Sequence, residues 1–257
     1  MRWRSVEEFK HDGRTMLVKR LGGEKGPQFV LVHGIGVATR YFTRLAPLLA
    51  RSGGVHAVEL PGFGSAPRQS TTMSIEEHAA MLTAYVVGAG LAAPLLVGHS
   101  MGTQIVVEAA LQRPELFPRI VGMGGVVDPR ERSALLQGLR LAEDMLFETP
   151  PSNWAVLRDY ARTGPRWYLK TVPVMLGYKT EEALPALAAD TLLIRGARDP
   201  ICRHDWAEDM ARLIPRSRLV EVPGSAHVVM YTAPARVAGE ILAHARHGTA
   251  AGMEAAR

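Results

Sequence analysis

The sequence predicts an α/β fold built on a mainly parallel eight-stranded sheet with helices on both faces. Short apolar strands alternate with amphipathic helices along most of the 257 residues. Such alternation is typical of parallel sheets, whose strands need long crossover connections. The alternation stops once, between residues 128 and 185, where only helical patterns occur. This interruption predicts a helical cap inserted into an α/β core.

The first part of the core, residues 1–127, begins with a hairpin and continues with buried strands. Asp12-Gly13 favours a tight turn between two strands. Ser74 followed by Glu77 forms a capping box, which predicts the start of a helix. Later strands are predicted at residues 28–32, 55–60, 95–97 and 119–123, with helices at 41–52, 75–87 and 103–113.

The second part of the core, residues 186–247, restores the alternation after the cap. Strands are predicted at 191–195 and 218–222, and helices at 203–213 and 234–244. The remaining residues, 248–257, are rich in Ala and contain two Gly, and we predict a disordered tail.

A candidate nucleophile lies in the stretch Gly98-His99-Ser100-Met101-Gly102. The pattern Gly-x-Ser-x-Gly stands between an apolar strand and a helix, where it is typical of a sharp turn that projects the serine from the backbone. Glycine on either side is needed because a Cβ at those positions would collide with the adjoining strand or helix. We therefore predict that Ser100 is a nucleophile.

Two further polar side chains follow strands of the same predicted sheet. Asp199 comes after the strand at 191–195, and His227 comes after the strand at 218–222. Ligand chemistry in a parallel sheet gathers at the carboxyl ends of the strands. Asp128, after the strand at 119–123, is an alternative acid; we favour Asp199 because it follows its strand by a short turn, whereas Asp128 can cap a cap helix.

With these motifs in place, the chain resembles the α/β-hydrolase superfamily in its single-domain, helical-capped branch. The nucleophile, acid and base occur in the chain order Ser, Asp, His, as in that superfamily. The resemblance covers about residues 14–245. Its specific pieces are His33-Gly34-Ile35-Gly36, Gly98-His99-Ser100-Met101-Gly102, Gly196-Ala197-Arg198-Asp199 and Gly224-Ser225-Ala226-His227.

The resemblance implies a role for each residue. His227 would act as general base for Ser100 and Asp199 would orient the imidazole, so that an acyl-enzyme forms on the serine. The backbone N–H groups of Ile35 and Met101 would form the oxyanion hole. A serine nucleophile disfavours the relatives that open epoxides or displace halide through an aspartate ester.

The cap supplies many apolar side chains, which predicts an apolar pocket and a small to medium hydrophobic ester or lactone as substrate. The alternatives are a carbon–carbon bond hydrolase of ring-fission diketones, for which Arg158, Arg162 and Arg166 could hold an acidic substrate, and a non-catalytic ligand-binding receptor. The candidate pocket residues are Leu139, Trp154, Trp167, Met175 and Met230.

The composition of the chain limits the kinds of binding partner to be expected. Basic residues exceed acidic ones by 30 to 25 without forming a basic block, so no nucleic-acid partner is expected. No apolar run is long enough to span a membrane, the N-terminus is charged rather than signal-like, and Cys202 is the only cysteine. Histidines and carboxylates do not recur at metal-ligand spacing. We expect a cytoplasmic protein with a small-molecule substrate, no membrane partner, no metal and no cofactor.

Overall fold

The computed structural model describes residues 2–254, and side-chain surroundings for residues 2–246. Its eight strands form one sheet in the order β1-β2-β4-β3-β5-β6-β7-β8. β1 and β2 pair antiparallel, as do β2 and β4, and the five other pairings are parallel. The predicted fold class is confirmed. The strands are β1 Ser5–His11, β2 Arg14–Gly22, β3 Gln28–Val32, β4 Gly54–Glu59, β5 Leu95–His99, β6 Arg119–Met123, β7 Asp190–Gly196 and β8 Ser217–Val222.

The hairpin of β1 and β2 turns where the sequence predicts. Asp12 has φ 46° and Gly13 has φ 71°, and a two-residue hairpin turn with positive φ at both positions matches the twist of its strands. The predicted strand after it is also present, because Val30 and Val32 enter one core cluster while Phe29 and Leu31 enter the other. A strand buried on both faces needs no polar alternation.

Helices connect the strands and cover both faces of the sheet. The capping box of Ser74 and Glu77 is present at the start of α2. The helices are α1 Ala46–Leu49, α2 Ile75–Gly88, α3 Met101–Gln112, α4 Ala134–Phe147, α5 Pro150–Thr163, α6 Pro165–Gly177, α7 Thr180–Ala183, α8 His204–Leu213, α9 Val229–Thr232 and α10 Pro234–Glu254.

Two helical predictions differ from the structure. Residues 41–52 do not form one helix but a 3-10 helix, Thr39–Phe42, followed by the single turn α1. Pro47 explains the break, since proline has no N–H for a helix interior but is tolerated in a first turn. At the other end, α10 continues through residues 248–254, which were predicted to be disordered, because alanine-rich sequence favours helix. Residues 255–257 lie outside the described part of the chain.

The segment between β6 and β7 contains α4 to α7 and, in the described chain, no strand. Ser133 and Thr149 begin α4 and α5 by accepting hydrogen bonds from amides of their first turns. The segment packs on the carboxyl edge of the sheet, where the Asp159 carboxylate of α5 accepts from the Ala38 N–H at 3.1 Å. Among the described residues, no helix is long and apolar enough to cross a bilayer.

Candidate active site

Ser100 stands at the sharp turn between β5 and α3. Its φ is 56° and its ψ is −123°, a combination that costs a non-glycine residue of the order of 1–3 kcal/mol and persists only where the surroundings hold it. The Ser100 N–H donates to the Met123 carbonyl at the end of β6, at 2.9 Å. This bond ties the strained turn to the neighbouring strand.

The two glycines of the motif allow the turn to close. A Cβ at Gly98 would meet the backbone of Gly102, and a Cβ at Gly102 would meet the Val32 carbonyl at the end of β3. Both contacts are with backbone atoms that cannot swing aside. The steric reason for glycine at these positions is therefore present in the structure.

Asp199 and His227 meet beside the turn. The Nδ1 atom of His227 lies 2.9 Å from Oδ2 of Asp199, and both side chains are buried. The other carboxylate oxygen of Asp199 accepts from the amides of Ile201 at 2.8 Å and Cys202 at 2.9 Å. Because these bonds fix the carboxylate, the imidazole that it faces is held in one orientation with Nδ1 protonated.

Asp128, the alternative acid, has a different partner. Its Oδ1 accepts from the Arg130 N–H and from Arg130 Nε, both at 2.9 Å, and its side chain caps the 3-10 helix Pro129–Glu131. The structure thus places Asp199, not Asp128, on His227. The helix-capping alternative for Asp128 is correct, because the strand-end aspartate turns toward the first turn of the insertion.

The predicted oxyanion donors lie around Ser100. Gly34 passes so close that a Cβ there would lie 2.8 Å from the Ser100 Cβ, and the following residue, Ile35, lines the same cavity as Ser100. The Met101 amide is the first of α3 and has no carbonyl within the helix to donate to. Within the described chain neither amide donates to a protein group, so both remain available to a developing oxyanion.

A buried hydrogen-bond chain links the three loops of the site. The Gly34 N–H donates to the Tyr41 hydroxyl at 2.7 Å, so that the hydroxyl donates onward to Nδ1 of His99 at 3.2 Å. The opposite ring nitrogen of His99 donates to the carbonyl of His227 at 2.9 Å. Burial and then the charge of His227 hold the pKa of His99 well below its usual value, so the ring stays neutral, as the chain requires. The sequence did not reveal Tyr41, because its partners are distant in the chain.

Removing the Tyr41 hydroxyl is expected to weaken the site. In Tyr41→Phe the buried Gly34 N–H and His99 lose a partner, which costs about 1–3 kcal/mol of the free energy of unfolding. The loops that carry the donors and the base shift slightly, and kcat falls about tenfold. Urea denaturation and ester kinetics measure both effects. Tyr231→Phe is the matched control, since that hydroxyl has no hydrogen bond within the described residues; an equal loss there would contradict the assignment.

Helix α4 holds the loop that carries His227. Oδ1 of Asp144 accepts from the His227 N–H at 3.0 Å, and Oε1 of Glu148 accepts from the Val228 N–H at 2.7 Å. Asp144 lies in the last turn of α4 and Glu148 directly follows the helix, so both carboxylates reach adjacent amides of the histidine loop from the same helix end. The Ser152 hydroxyl donates to the second oxygen of Glu148. Neither carboxylate was identified from the sequence. The one signal available there was the occurrence of two acidic residues, four positions apart, in the predicted cap.

These groups set the charge of the site. Burial lowers the pKa of His227, but the charge and hydrogen bond of Asp199 outweigh it, with smaller contributions from Asp144 and Glu148, and raise the pKa to about 9. Burial, aided by the charges of Asp199 and Glu148 and opposed by His227, raises the pKa of Asp144 to about 7. The site therefore concentrates negative charge around His227.

A cavity between the sheet edge and the insertion contains Ser100 and His227. Most of its walls are apolar, as the sequence predicts. The apolar side chains include Ile35, Val37, Val126, Leu141, Val156 and Met175.

Of the five predicted pocket residues, Met175 lines the cavity. Leu139 and Trp154 do not, since their side chains are 57% and 69% exposed on the outer faces of α4 and α5. The helices present a different face to the cavity, which on α4 includes Leu141 and Asp144. The prediction failed because it assumed that apolar side chains face inward.

Trp167 and Met230 are buried but lie outside the cavity. The Trp167 ring contacts the backbone of Gly62, where a Cβ would collide with it. Met230 belongs to the core cluster that includes Phe29 and Leu31. Both side chains contribute to packing.

The arginines considered for an acidic substrate are exposed. Arg158, Arg162 and Arg166 lie on the solvent side of α5 and α6 and do not line the cavity. Within the described part of the chain, no group of three His, Cys, Asp or Glu side chains is arranged to hold a metal ion.

The fold and the turn that carries Ser100 define a class of α/β proteins with a serine at a sharp strand-to-helix turn of a mainly parallel sheet. The sequence pattern of the alpha/beta hydrolase family matches residues 29–240. The chain therefore belongs to the alpha/beta hydrolase family.

Individual proteins resemble this chain. Pyrrolizixenacetamide deacetylase of Xenorhabdus hominickii is 32% identical over 221 residues, covering 77% of this chain and 83% of that protein. Polyketide synthase ThaQ of Burkholderia thailandensis is 29% identical over 82% of this chain, which spans only 11% of the length of that synthase. The solved structure of a bacterial membrane phospholipase A, a virulence factor, has a TM-score of 0.81 at 23% identity, covering 93% of this chain and 85% of its own. These likenesses support the fold and a hydrolase activity.

Proposed function

We propose that the protein is a serine hydrolase that cleaves a carboxylic ester through an acyl-enzyme on Ser100. The observation that carries the proposal is the hydrogen-bonded pair of His227 and Asp199 in the cavity that contains the strained serine. A serine hydroxyl is a weak nucleophile at neutral pH and needs a base held beside it. No other serine of the described chain combines a positive φ with this setting.

The chemistry proceeds in two halves. His227 takes the Ser100 proton as the oxygen attacks the ester carbonyl, and Asp199 stabilises the imidazolium that forms. The amides of Ile35 and Met101 donate to the tetrahedral oxyanion, each contributing about 3–4 kcal/mol to the transition state. The imidazolium then protonates the leaving alcohol. A water, activated by the same imidazole, releases the acid.

The cavity supports a small to medium, largely apolar acyl group or lactone ring. Its mostly apolar walls match such a substrate. The arginines needed by a hydrolase of acidic ring-fission diketones are outside the cavity, so nothing here favours that alternative. A ligand-binding receptor would not need a base whose acid partner is fixed by two amides.

Hydrolysis of p-nitrophenyl acetate, butyrate and octanoate tests the proposal, together with labelling by an alkyl phosphonate ester. We expect turnover of the shorter esters and a single phosphonate adduct on Ser100, located by peptide mass spectrometry. A p-nitroanilide with the same acyl groups separates ester from amide cleavage, since one relative is named as a deacetylase of an amide. Absence of both turnover and labelling in folded protein would refute the proposal.

A further inference from the structure

The charge of the cavity has one sign. Asp144 and Glu148 are among its lining residues, and the described lining contains no lysine or arginine. Two histidines line the cavity: His99, whose pKa is held well below its usual value by burial, and His227, which is already paired with the carboxylate of Asp199. An anionic substrate would therefore enter against uncompensated negative charge, whereas a cation would find a counter-charge.

One oxygen of Asp144 is unused. Its Oδ1 accepts from the His227 N–H, but within the described chain its Oδ2 has no hydrogen-bond partner. The side chain is only 3% exposed and lines the cavity. Glu148 differs, because Val228 and Ser152 occupy both of its oxygens. The oxygen is not sealed in the protein interior but belongs to a residue in the cavity wall, so a water or a ligand in the cavity can complete it.

Two aromatic rings line the same cavity as this carboxylate. The rings of Tyr160 and Tyr168 have centroids 5.3 Å apart and line the same cavity, against the backbone of Gly36. Burial, followed by Tyr168 and then the charge of Asp144, raises the pKa of Tyr160 well above its usual value. The ring and the carboxylate belong to residues that line one cavity. Aromatic faces next to a carboxylate are the combination that recognises substituted ammonium groups.

We propose that the cavity binds a cationic substrate group, a quaternary or tertiary ammonium, between the Asp144 carboxylate and the rings of Tyr160 and Tyr168. This inference rests on the proposed ester hydrolysis at Ser100 and specifies its substrate class. The ammonium forms an ion pair with Oδ2 of Asp144, and its alkyl groups contact the rings of Tyr160 and Tyr168. Esters with an anionic acyl group are poor substrates for the same reason.

The ionisation of Asp144 makes this recognition dependent on pH. Asp199 and His227 face Asp144 from the loops after β7 and β8, Tyr160 from α5 and Glu148 from the end of α4 itself, and burial with the neighbouring acids raises the pKa of Asp144 to about 7. The carboxyl is neutral below that pH and charged above it. Binding of a cation is therefore expected to strengthen as the pH rises through 7, while binding of a neutral analogue stays constant.

The test compares choline with its uncharged carbon isostere, dimethylbutanol, as competitive inhibitors of p-nitrophenyl butyrate hydrolysis. We expect wild type to bind choline about tenfold more tightly than dimethylbutanol. Asp144→Asn keeps an acceptor for the His227 amide but removes the charge. The ratio of the affinities for choline and dimethylbutanol should therefore fall to near one. Glu143→Gln is the matched control, because it removes the same charge from α4 at a side chain that pairs with Arg140, and the preference should persist.

The readout is the ratio of the inhibition constants of dimethylbutanol and choline. A merely structural effect of the substitution would weaken the binding of both inhibitors equally and leave this ratio unchanged. Equal binding of choline and dimethylbutanol to wild type would overturn the inference, as would a preference that survives Asp144→Asn. If the neutral ester is hydrolysed without any charge preference, the proposed function stands and the inference fails. If no ester is hydrolysed, calorimetric titration of wild type with the two probes between pH 6 and 8 still decides the inference, since binding needs no turnover.

Discussion

Ser100→Ala is expected to lower kcat for p-nitrophenyl butyrate by about 10⁵- to 10⁶-fold. Alanine cannot form the acyl-enzyme, and the oxyanion donors and the base then have no oxygen on which to act. Burst kinetics would report the loss directly, because the rapid release of one equivalent of p-nitrophenol should vanish along with steady-state turnover.

The alanine variant should fold normally. Alanine and serine tolerate the φ of 56° equally poorly, and no protein group within the described residues hydrogen-bonds the Ser100 hydroxyl, so the free energy of unfolding should hardly change. Ser70→Ala, at an exposed loop serine, is the matched control and should keep full activity. A Ser100→Ala protein within tenfold of wild-type kcat would exclude Ser100 as the nucleophile.

Asp199→Asn is expected to lower kcat about 10⁴-fold. The amide presents an N–H group or a neutral carbonyl to Nδ1 of His227, so the ring loses both its preferred tautomer and the charge that stabilises the imidazolium. In wild type, activity should rise with pH toward the raised pKa of His227, about 9, because only the neutral imidazole is a base. Removing the carboxylate lowers that pKa, so the rise should move to lower pH in the variant.

Asp128→Asn provides the control for the acid. Its carboxylate pairs with Arg130 and not with His227, so kcat and the pH profile should remain those of wild type, with a modest loss of stability from the weakened helix cap. The pH–rate profiles of kcat/KM for the two asparagine variants separate the two roles. The reverse pattern, with Asp128→Asn inactive and Asp199→Asn active, would transfer the acid role to Asp128.

The sheet and the placement of the site residues could be predicted because their signals are local. Continuous apolar runs mark the strands, and the glycines around Ser100 mark a turn whose steric demands lie within a few residues. Asp199 and His227 could be predicted because the carboxyl ends of parallel strands meet at one edge. The break before α1 was missed because Pro47 interrupts a helix that begins well before it but is tolerated in the first turn of a helix that begins just before it.

The insertion was harder to interpret because its helices do not follow the rule that apolar faces point inward. On α4 the exposed side chains include Leu135, Leu139 and Leu146, while Asp144 and Glu148 are buried. Buried carboxylates are favourable here only because the backbone of the histidine loop supplies N–H donors, and those donors are about 80 residues away in sequence. No periodicity within the helix reveals such partners.

The bonds from α4 to the histidine loop have a consequence for how substrate enters. If α4 moved away from the sheet, the amides of His227 and Val228 would lose their acceptors together. The loop that carries His227 would then be free to move while the cavity is open. Admission of substrate and readiness for catalysis would then alternate rather than coexist. In an enzyme built this way, closure of α4 over the cavity positions His227 beside Ser100. While the cavity is open to water, the serine is not yet activated for attack.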